Sequence, residues 1–311
     1  MLSHAIVLGP QRRDPIVCEA VDDLVPDRRE PVAVVTAGWE EREDEDQELR
    51  EHICREAINL KIWQRVERIF DKDKQLLAAM RERHDTLRRV QELYRLRLGG
   101  LMEATRELVS RGRQDPLVAA EEHDSWVLVR GLDQQHTLRC EEIHAQFESR
   151  VKPSERPAVQ RERRELDKLL RQVSCLLVAG GHIGVLLHRL RLFGLIDAWG
   201  DRPTVAWSAG AMALSDRIVL FHDTPPQGSS YAEVFERGFG KLPGFVALPH
   251  ARHRLQTDDS VRVSLLSRRF APALCAMLDY GVRFDLRDGK WTAQPGAKRL
   301  GEDGLVEEAS S

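Results

Sequence analysis

The sequence predicts an α/β protein: a mostly parallel, doubly wound sheet with a long inserted α-helical coiled-coil arm. Three observations carry this. Short β-branched apolar runs, each ending in Gly or another small residue, alternate with helical stretches at both ends of the chain, the pattern of βαβ units. Between them strand signals nearly vanish and charge rises. Within that middle stretch apolar residues recur with a period near 3.5, which is the signature of a coiled coil.

The first segment, 1–43, supplies two strands, HAIVLGP (His4–Pro10) and EPVAVVTAGW (Glu30–Trp39), with CEAVDDLV as the helix between them. The second, 44–170, is read as the helical insertion. From Ile62 the apolar positions alternate in spacings of four and three through Val66, Ile69, Leu76, Met80, Leu87, Val90, Tyr94, Leu101, Ala104 and Leu108, with interruptions at Asp73, Arg83 and Arg97. SRGRQDP (Ser110–Pro116) breaks the run, and Gly99-Gly100 predicts a kink in it. A second helical run follows with Trp126, Val129, Leu132, Ile143 and Phe147 facing inward, and Pro153 and Pro157 end it. The basic helix PAVQRERRELDKLLRQV leads back to the sheet. An antiparallel arm of this kind serves either as a dimerisation or packing device or as a lid or partner-recruiting arm that controls access to a site. Under both readings its charges form a solvated face.

The third segment, 171–311, returns to the α/β pattern. SCLLVAGGHIGVLLHRLRLFGLIDAW reads as strand, Gly-Gly turn and amphipathic helix; RPTVAWSAGAMALSDRIVL as strand, sharp turn, helix and strand. LPGFVALPHARHRL is a strand ending at a histidine, and a helix follows over Asp259–Arg268. CAMLDYGVRFDLRDGKWTA predicts a terminal hairpin turning at Asp288-Gly289, and the tail GEDGLVEEASS is expected to fray.

Composition narrows the function classes. The chain has 311 residues, 42% hydrophobic and 31% charged, enough for a real core under a well-solvated surface. A net charge of −3 argues for neither nucleic acid nor an acidic membrane as partner. The cysteines Cys18, Cys54, Cys140, Cys175 and Cys275 are odd in number, far apart and never in a CxxC pair, which fits neither a disulfide framework nor a zinc site. Cys175 and Cys275 lie in apolar runs and are expected to be buried thiols. The N-terminal apolar run is too short for a signal peptide, its basic residues follow it, and no stretch reaches the length of a membrane span. A cytoplasmic setting is expected.

In an open parallel sheet, ligands bind beyond the C-terminal ends of the strands. Gly180-Gly181, Ser208 and His250 each fall at such an end. Ala206-Trp207-Ser208-Ala209-Gly210 fits the small-x-Ser-x-Gly nucleophile elbow, in which small neighbours let the chain turn sharply from strand to helix. The same serine in the same place is also a favoured helix cap. As a nucleophile it would need two backbone N–H groups facing the oxyanion, which Ala209 at the helix start and the Gly180-Gly181 turn can supply. It would also need a base, for which His250 in LPHARHRL is the candidate, and an acid to orient that base. Asp223 in LFHDTPPQG and Asp279 in AMLDYG compete for the last role, and either also reads as a turn aspartate.

Taken together, GG, WSAGA, an aspartate about fifteen residues on, and LPG followed by PH resemble the dipeptidase E and cyanophycinase group of serine peptidases. The likeness is weak over Leu2 to Gly38, good over Ser174 to Lys290, and absent from the helical arm. It implies a class I glutamine amidotransferase-like fold, with Ser208 as nucleophile, His250 as base and Gly181 and Ala209 as the oxyanion hole. Asp223 matches the dipeptidase acid, whereas the cyanophycinase-like branch favours an acid near Asp279. Arg254 matches an arginine that holds an acidic substrate. Departures from the family pattern fall at His182-Ile183, where Asn/Asp-Gln is usual, and at Leu248-Pro249. Glutamine amidotransferase chemistry itself is not expected, because that group has Cys at the elbow and Glu two residues after the histidine, where this chain has Ser208 and Arg252.

The resulting expectation is a cofactor- and metal-independent serine hydrolase that cleaves a small peptide or isopeptide substrate at an aspartyl-type residue. A homo-oligomer, a dimer joined through the arm, is expected to accompany it. The competing expectation is a weak or inactive peptidase-like scaffold that oligomerises through the arm.

Overall fold

The computed structural model describes residues 4–223 and 231–309. In chain order its elements are β1 (His4–Leu8), α1 (Val17–Leu24), β2 (Val32–Val35), a 3₁₀ turn (Ala37–Arg42), α2 (Gln47–Ile53), β3 (Ala57–Asn59), α3 (Ile62–Lys72), α4 (Lys74–Arg111), α5 (Pro116–Val151), α6 (Pro157–Leu170), β4 (Cys175–Val178), α7 (Ile183–Phe193), α8 (Leu195–Trp199), β5 (Thr204–Trp207), α9 (Ala209–Leu214), β6 (Arg217–Leu220), β7 (Glu233–Arg237), β8 (Phe245–Pro249), α10 (Ala251–Arg254), α11 (Ser260–Phe270), β9 (Leu274–Leu278), β10 (Arg283–Arg287), β11 (Lys290–Ala293), β12 (Lys298–Leu300) and β13 (Val306–Glu308).

A seven-stranded sheet runs in the order β11-β10-β1-β5-β4-β2-β3. Its five strands from β1 to β3 are parallel, and β10 and β11 are antiparallel additions at one edge. VAVV, CLLV and TVAW are buried at every residue, as parallel strands covered on both faces must be. A second sheet, β13-β12-β9-β8, carries β8 and β9 as a parallel pair, and β6 pairs with β7 alone.

The middle of the chain differs from its sequence reading in two ways. It is not all helix: Ala57–Asn59 adds β3 to the sheet edge. Three residues carry too little pattern to stand out among charged neighbours. The hairpin of α4 and α5 is also no free arm. Tyr94, Leu98 and Met102 of α4 and Trp126, Val129 and Leu132 of α5 share one core with Phe221, Val234, Leu248, Phe270 and others from the second half of the chain.

The interrupted register has a physical explanation. Asp73 is the N-cap of α4, its Oδ1 accepting from Leu76 N at 2.9 Å, and so separates α3 from α4. Arg83 occupies a seam position with its guanidinium 4.2 Å from the centroid of the Phe147 ring. Arg97 points to solvent, and α4 runs unbroken through Gly99-Gly100. Asp115 caps α5 with Pro116 in its first turn.

Buried ion pairs fasten the hairpin down. Arg269 of α11 is 1% exposed and reaches Asp133 through Nε at 2.8 Å and Nη2 at 2.6 Å, with Nη2 also donating to Tyr94 Oη at 2.7 Å. Glu122 of α5 accepts from Arg113, Trp126 and Arg268.

At the C-terminus, Asp288 and Gly289 both take positive φ and close the β10–β11 hairpin as predicted. β9 is not part of it, and through Glu308 the tail is not frayed, because β13 pairs with β12. Among the described residues, no helix is long and apolar enough to cross a membrane.

Candidate active site

Ser208 sits between β5 and α9 at φ 51°, ψ −124°. An L-residue rarely adopts this conformation, which costs about 1–3 kcal/mol and persists only where its surroundings over-determine it. Its side chain makes no capping hydrogen bond to α9. A helix cap needs neither the strain nor an unused hydroxyl, so the two readings of this serine part here.

Glycines hold the conformation by letting three backbones approach. A Cβ on Gly180 would sit 2.8 Å from Ser208 Cβ, and one on Gly210 would sit 2.1 Å from the Val178 carbonyl oxygen. Gly181 has φ +115°, and a Cβ there would lie 2.3 Å from Gly38 O. Gly38 lies in the 3₁₀ turn that follows β2, and its carbonyl accepts from His182 N at 2.7 Å. A Cβ on Gly38 would in turn reach within 2.7 Å of Gly180 O. The strand-end turns of β2, β4 and β5 thus form one close-packed layer with the serine hydroxyl at its edge.

His182 departs from the expected polar pair but has its own task. Its Nδ1 accepts from Val185 N at 3.2 Å and caps α7, the helix that follows the glycine turn. Ile183 packs against the main core instead of presenting a polar group.

His250 follows β8 in the left-handed region, and its backbone N donates to Leu278 O at 3.0 Å at the end of β9. Its ring meets Tyr280 edge-on at 5.8 Å. Burial and the adjacent Arg254 push the imidazole below its ordinary range, against the opposing pull of Asp279. Burial thus favours the neutral imidazole, the form a general base requires.

Ser208 and His250 come from different sheets, and Gly9 joins their strand ends. Leu8 pairs with Trp207, so Gly9 and Ser208 leave neighbouring parallel strands together. A Cβ on Gly9 would sit 1.7 Å from Asp279 O. The ends of β5, β1, β9 and β8 therefore lie side by side. Among the described residues, no hydrogen bond joins the Ser208 hydroxyl to the His250 ring.

The two candidate acids have different surroundings. Asp279 Oδ1 accepts from Arg252 N at 3.2 Å, and its charge acts on His250. Asp223 is engaged elsewhere: Oδ2 accepts from Gln256 N at 2.7 Å and Oδ1 pairs with Arg262 Nη1 at 3.1 Å. Asp223 N also donates to Arg254 O at 2.8 Å, so the residue braces the turn after His250. Among the described residues neither acid hydrogen-bonds to the His250 ring: the Asp223 carboxylate is engaged by Arg262 and Gln256, and that of Asp279 by Arg252 N and, at 3.7 Å, Arg252 Nε.

Arg254 is half-buried over the Phe221 ring, and burial lowers its pKa. It has no acidic partner among the described residues.

Sequence reading missed Gly38, Gly9 and Tyr280. The first two carried a faint signal, a glycine after an apolar strand. Tyr280 carried none.

A second polar cluster lies away from these residues. His144 of α5, His188 of α7 and Glu236 of β7 place their ligand-type atoms within 4.8 Å of one another. Nε2 of each histidine lies 2.6–2.7 Å from a Glu236 carboxylate oxygen. Arg191 Nη1 is 2.7 Å from both Glu236 Oε2 and His144 Nε2, so a guanidinium already supplies the cation. A divalent ion would face its charge at close range. Burial lowers both histidines' pKa values; it opposes the Glu236 charge, but the histidines and Arg191 outweigh it and hold that carboxyl well below its usual range.

No protein-family model matches the chain, and no curated protein does. Among solved structures, a peptidase from an acI-B1 actinobacterium aligns at 13% identity and TM-score 0.48, covering 100% of this chain and 96% of its own. A candidate peptidase E protein from Listeria monocytogenes EGD-e aligns at 9% identity and TM-score 0.44, covering 97% of this chain and 100% of its own. At this distance the functional reading rests on the residues of the site.

Proposed function

We propose that the protein is a serine hydrolase of the dipeptidase E and cyanophycinase kind, cleaving a small peptide or isopeptide at an aspartyl-type residue. The observation that carries this is the strained Ser208 backbone, with its hydroxyl unused by the helix and its side chain close beside Gly180. Ser208 Oγ attacks the carbonyl carbon while His250 takes its proton. The N–H groups of Gly181 and Ala209 receive the negative oxygen. His250 then gives the proton to the leaving amine, and water repeats the sequence on the acyl-enzyme. We assign Asp279, whose charge acts on His250, as the acid that orients the imidazole, with Asp223 as the brace of the His250 turn. Arg254, half-buried and without an acidic partner among the described residues, is suited to a substrate carboxylate. No metal or cofactor enters these steps.

The test is a screen of aspartyl and isoaspartyl peptides, with fluorophosphonate labelling as a substrate-independent readout. Wild type should turn over at least one peptide and label at Ser208, and Ser208→Ala should do neither while keeping its circular dichroism spectrum. Turnover or labelling that survives Ser208→Ala would overturn the assignment.

A second reading, a scaffold that self-associates through the α4–α5 hairpin, is favoured by apolar side chains on its outer surface. Leu96 and Leu117 are 77% and 76% exposed, with Leu93 and Leu128 also outside. A monomeric mass in sedimentation at micromolar concentration would remove it.

A further inference from the structure

The basic helix α6 has no part in the steps above, and it walls a cleft of its own. The groove between α3 and α6 has a volume of about 520 Å³. Four cations line it: Arg68 and Lys72, one turn apart on α3, and Arg161 and Arg164, one turn apart on α6. Two carboxylates line it as well, but both are already matched. Glu162 is buried, and its Oε2 accepts from Arg65 Nη1 at 2.7 Å and from Arg68 Nη2 at 3.0 Å. Asp73 caps α4 and accepts from Arg156 Nη1 at 2.6 Å. The side chains of Lys72, Arg161 and Arg164 have no hydrogen-bond or ion-pair partner among the described residues. Like charges one turn apart repel, and the chain as a whole carries a net charge of −3, so this positive excess is local. It is also confined. On the flanking turns Asp71 pairs with Lys74, Glu155 with Lys152 and Glu165 with Lys168. The walls are fixed: Val66 and Ile69 of α3 and Val159 and Leu166 of α6 are buried in the main core, and the Arg65–Glu162 pair ties the two helices together.

We propose that this cleft is a binding site for a small polyphosphorylated ligand, a molecule carrying two or three linked phosphates. The guanidinium forks of Arg161 and Arg164 match phosphate oxygens, and Lys72 adds a point charge from the facing wall. A lone phosphate or carboxylate would satisfy one wall and leave the cations of the other unpaired. The volume suits a small molecule, and the ion-paired flanks give an extended nucleic acid no positive track to follow. Ile69, Pro157 and Ala158 add an apolar patch to the same lining. A nucleoside triphosphate would use that patch, whereas inorganic triphosphate would use the cations alone. Because both walls are held before the ligand arrives, binding orders little of the chain. Ser208, His250, Asp223, Asp279 and Arg254 do not line the cleft, so it is a second site.

The test is isothermal titration calorimetry of the full wild-type chain at low salt with inorganic triphosphate and, separately, with ATP. Both should bind at least about tenfold more tightly than orthophosphate, and a further gain with ATP would assign the apolar patch to the nucleoside. Arg161→Gln with Arg164→Gln should weaken binding at least about tenfold and leave the circular dichroism spectrum unchanged. Lys72→Gln, on the other wall, should weaken it as well. Arg89→Gln with Arg106→Gln removes the same charge from exposed positions of α4 and should stay within about twofold of wild type. No binding of either triphosphate at millimolar concentration, equal losses in the two double variants, or orthophosphate binding as tightly as triphosphate would overturn the proposal. So would a single-stranded oligonucleotide that displaces triphosphate at lower phosphate concentration, since the partner would then be a polymer. Ser208→Ala should bind as wild type does, so the result is independent of the hydrolase reading.

Discussion

Gly38→Ala tests whether the β2 turn holds the oxyanion turn in place. The added Cβ would stand 2.7 Å from Gly180 O and 3.1 Å from Gly181 Cα, both backbone atoms. Ordinary contact begins at 3.4 Å, so the glycine turn must retreat by about 0.7 Å. Gly38 does not need a left-handed conformation, so the effect is steric and not conformational. Overpacking of this kind costs about 1–3 kcal/mol of stability. Misplacing one oxyanion donor by most of an ångström should slow acylation about 10- to 100-fold. The assay is the rate of fluorophosphonate labelling at Ser208, with the thermal midpoint measured on the same samples. Gly99→Ala in α4 is the control, because nothing lies within 4 Å of a Cβ there. It should label like wild type and be more stable by about 0.5–1 kcal/mol. A folded Gly38→Ala protein that labels within about twofold of wild type would refute the reasoning. The β2 turn, not the oxyanion turn, would then be the part that yields.

Ser208→Gly should abolish labelling yet raise stability by about 1 kcal/mol in urea melts, because glycine accepts φ 51° without strain. Labelling rate against pH should lose its acid limb only below the ordinary imidazole range, since burial and Arg254 lower the pKa of His250. Arg254→Gln should move that limb to higher pH and Asp279→Asn to lower pH. His144 and His188 have depressed folded pKa values, so the unfolded chain binds more protons as pH falls below about 6.5, and urea midpoints should drop from pH 7 to pH 5. Asp133→Ala leaves the buried Arg269 without its carboxylate and should cost about 3–5 kcal/mol, read as a lower thermal midpoint.

Legibility followed the range of the interactions. Strands β1, β2, β4 and β5 announce themselves as apolar runs closed by small residues, and β8 as an apolar run ending at His250, because burial on both faces leaves no room for polar ones. The Ser208 turn was legible for a related reason: Gly210 is a glycine because the Val178 carbonyl stands against it. The hairpin's periodicity was legible too, but not what it faces. Arg83 looked like a break in the seam because its partner, Phe147, lies on the other helix. Asp223 was a candidate acid by its spacing from Ser208, and its ion pair with Arg262, thirty-nine positions later, has no local signal.

From the order of residues alone come the parallel sheet, the two long helices and a serine on a sharp strand-to-helix turn, since each depends on patterns a few residues long. Folding in three dimensions settles what those patterns meet. It packs the hairpin onto the chain's second core, sets Gly38 against the Gly180-Gly181 turn, and brings Gly9 and Asp279 together at the strand ends. These are contacts between segments far apart in the chain, made by close packing and buried charge, and no local pattern encodes the partner.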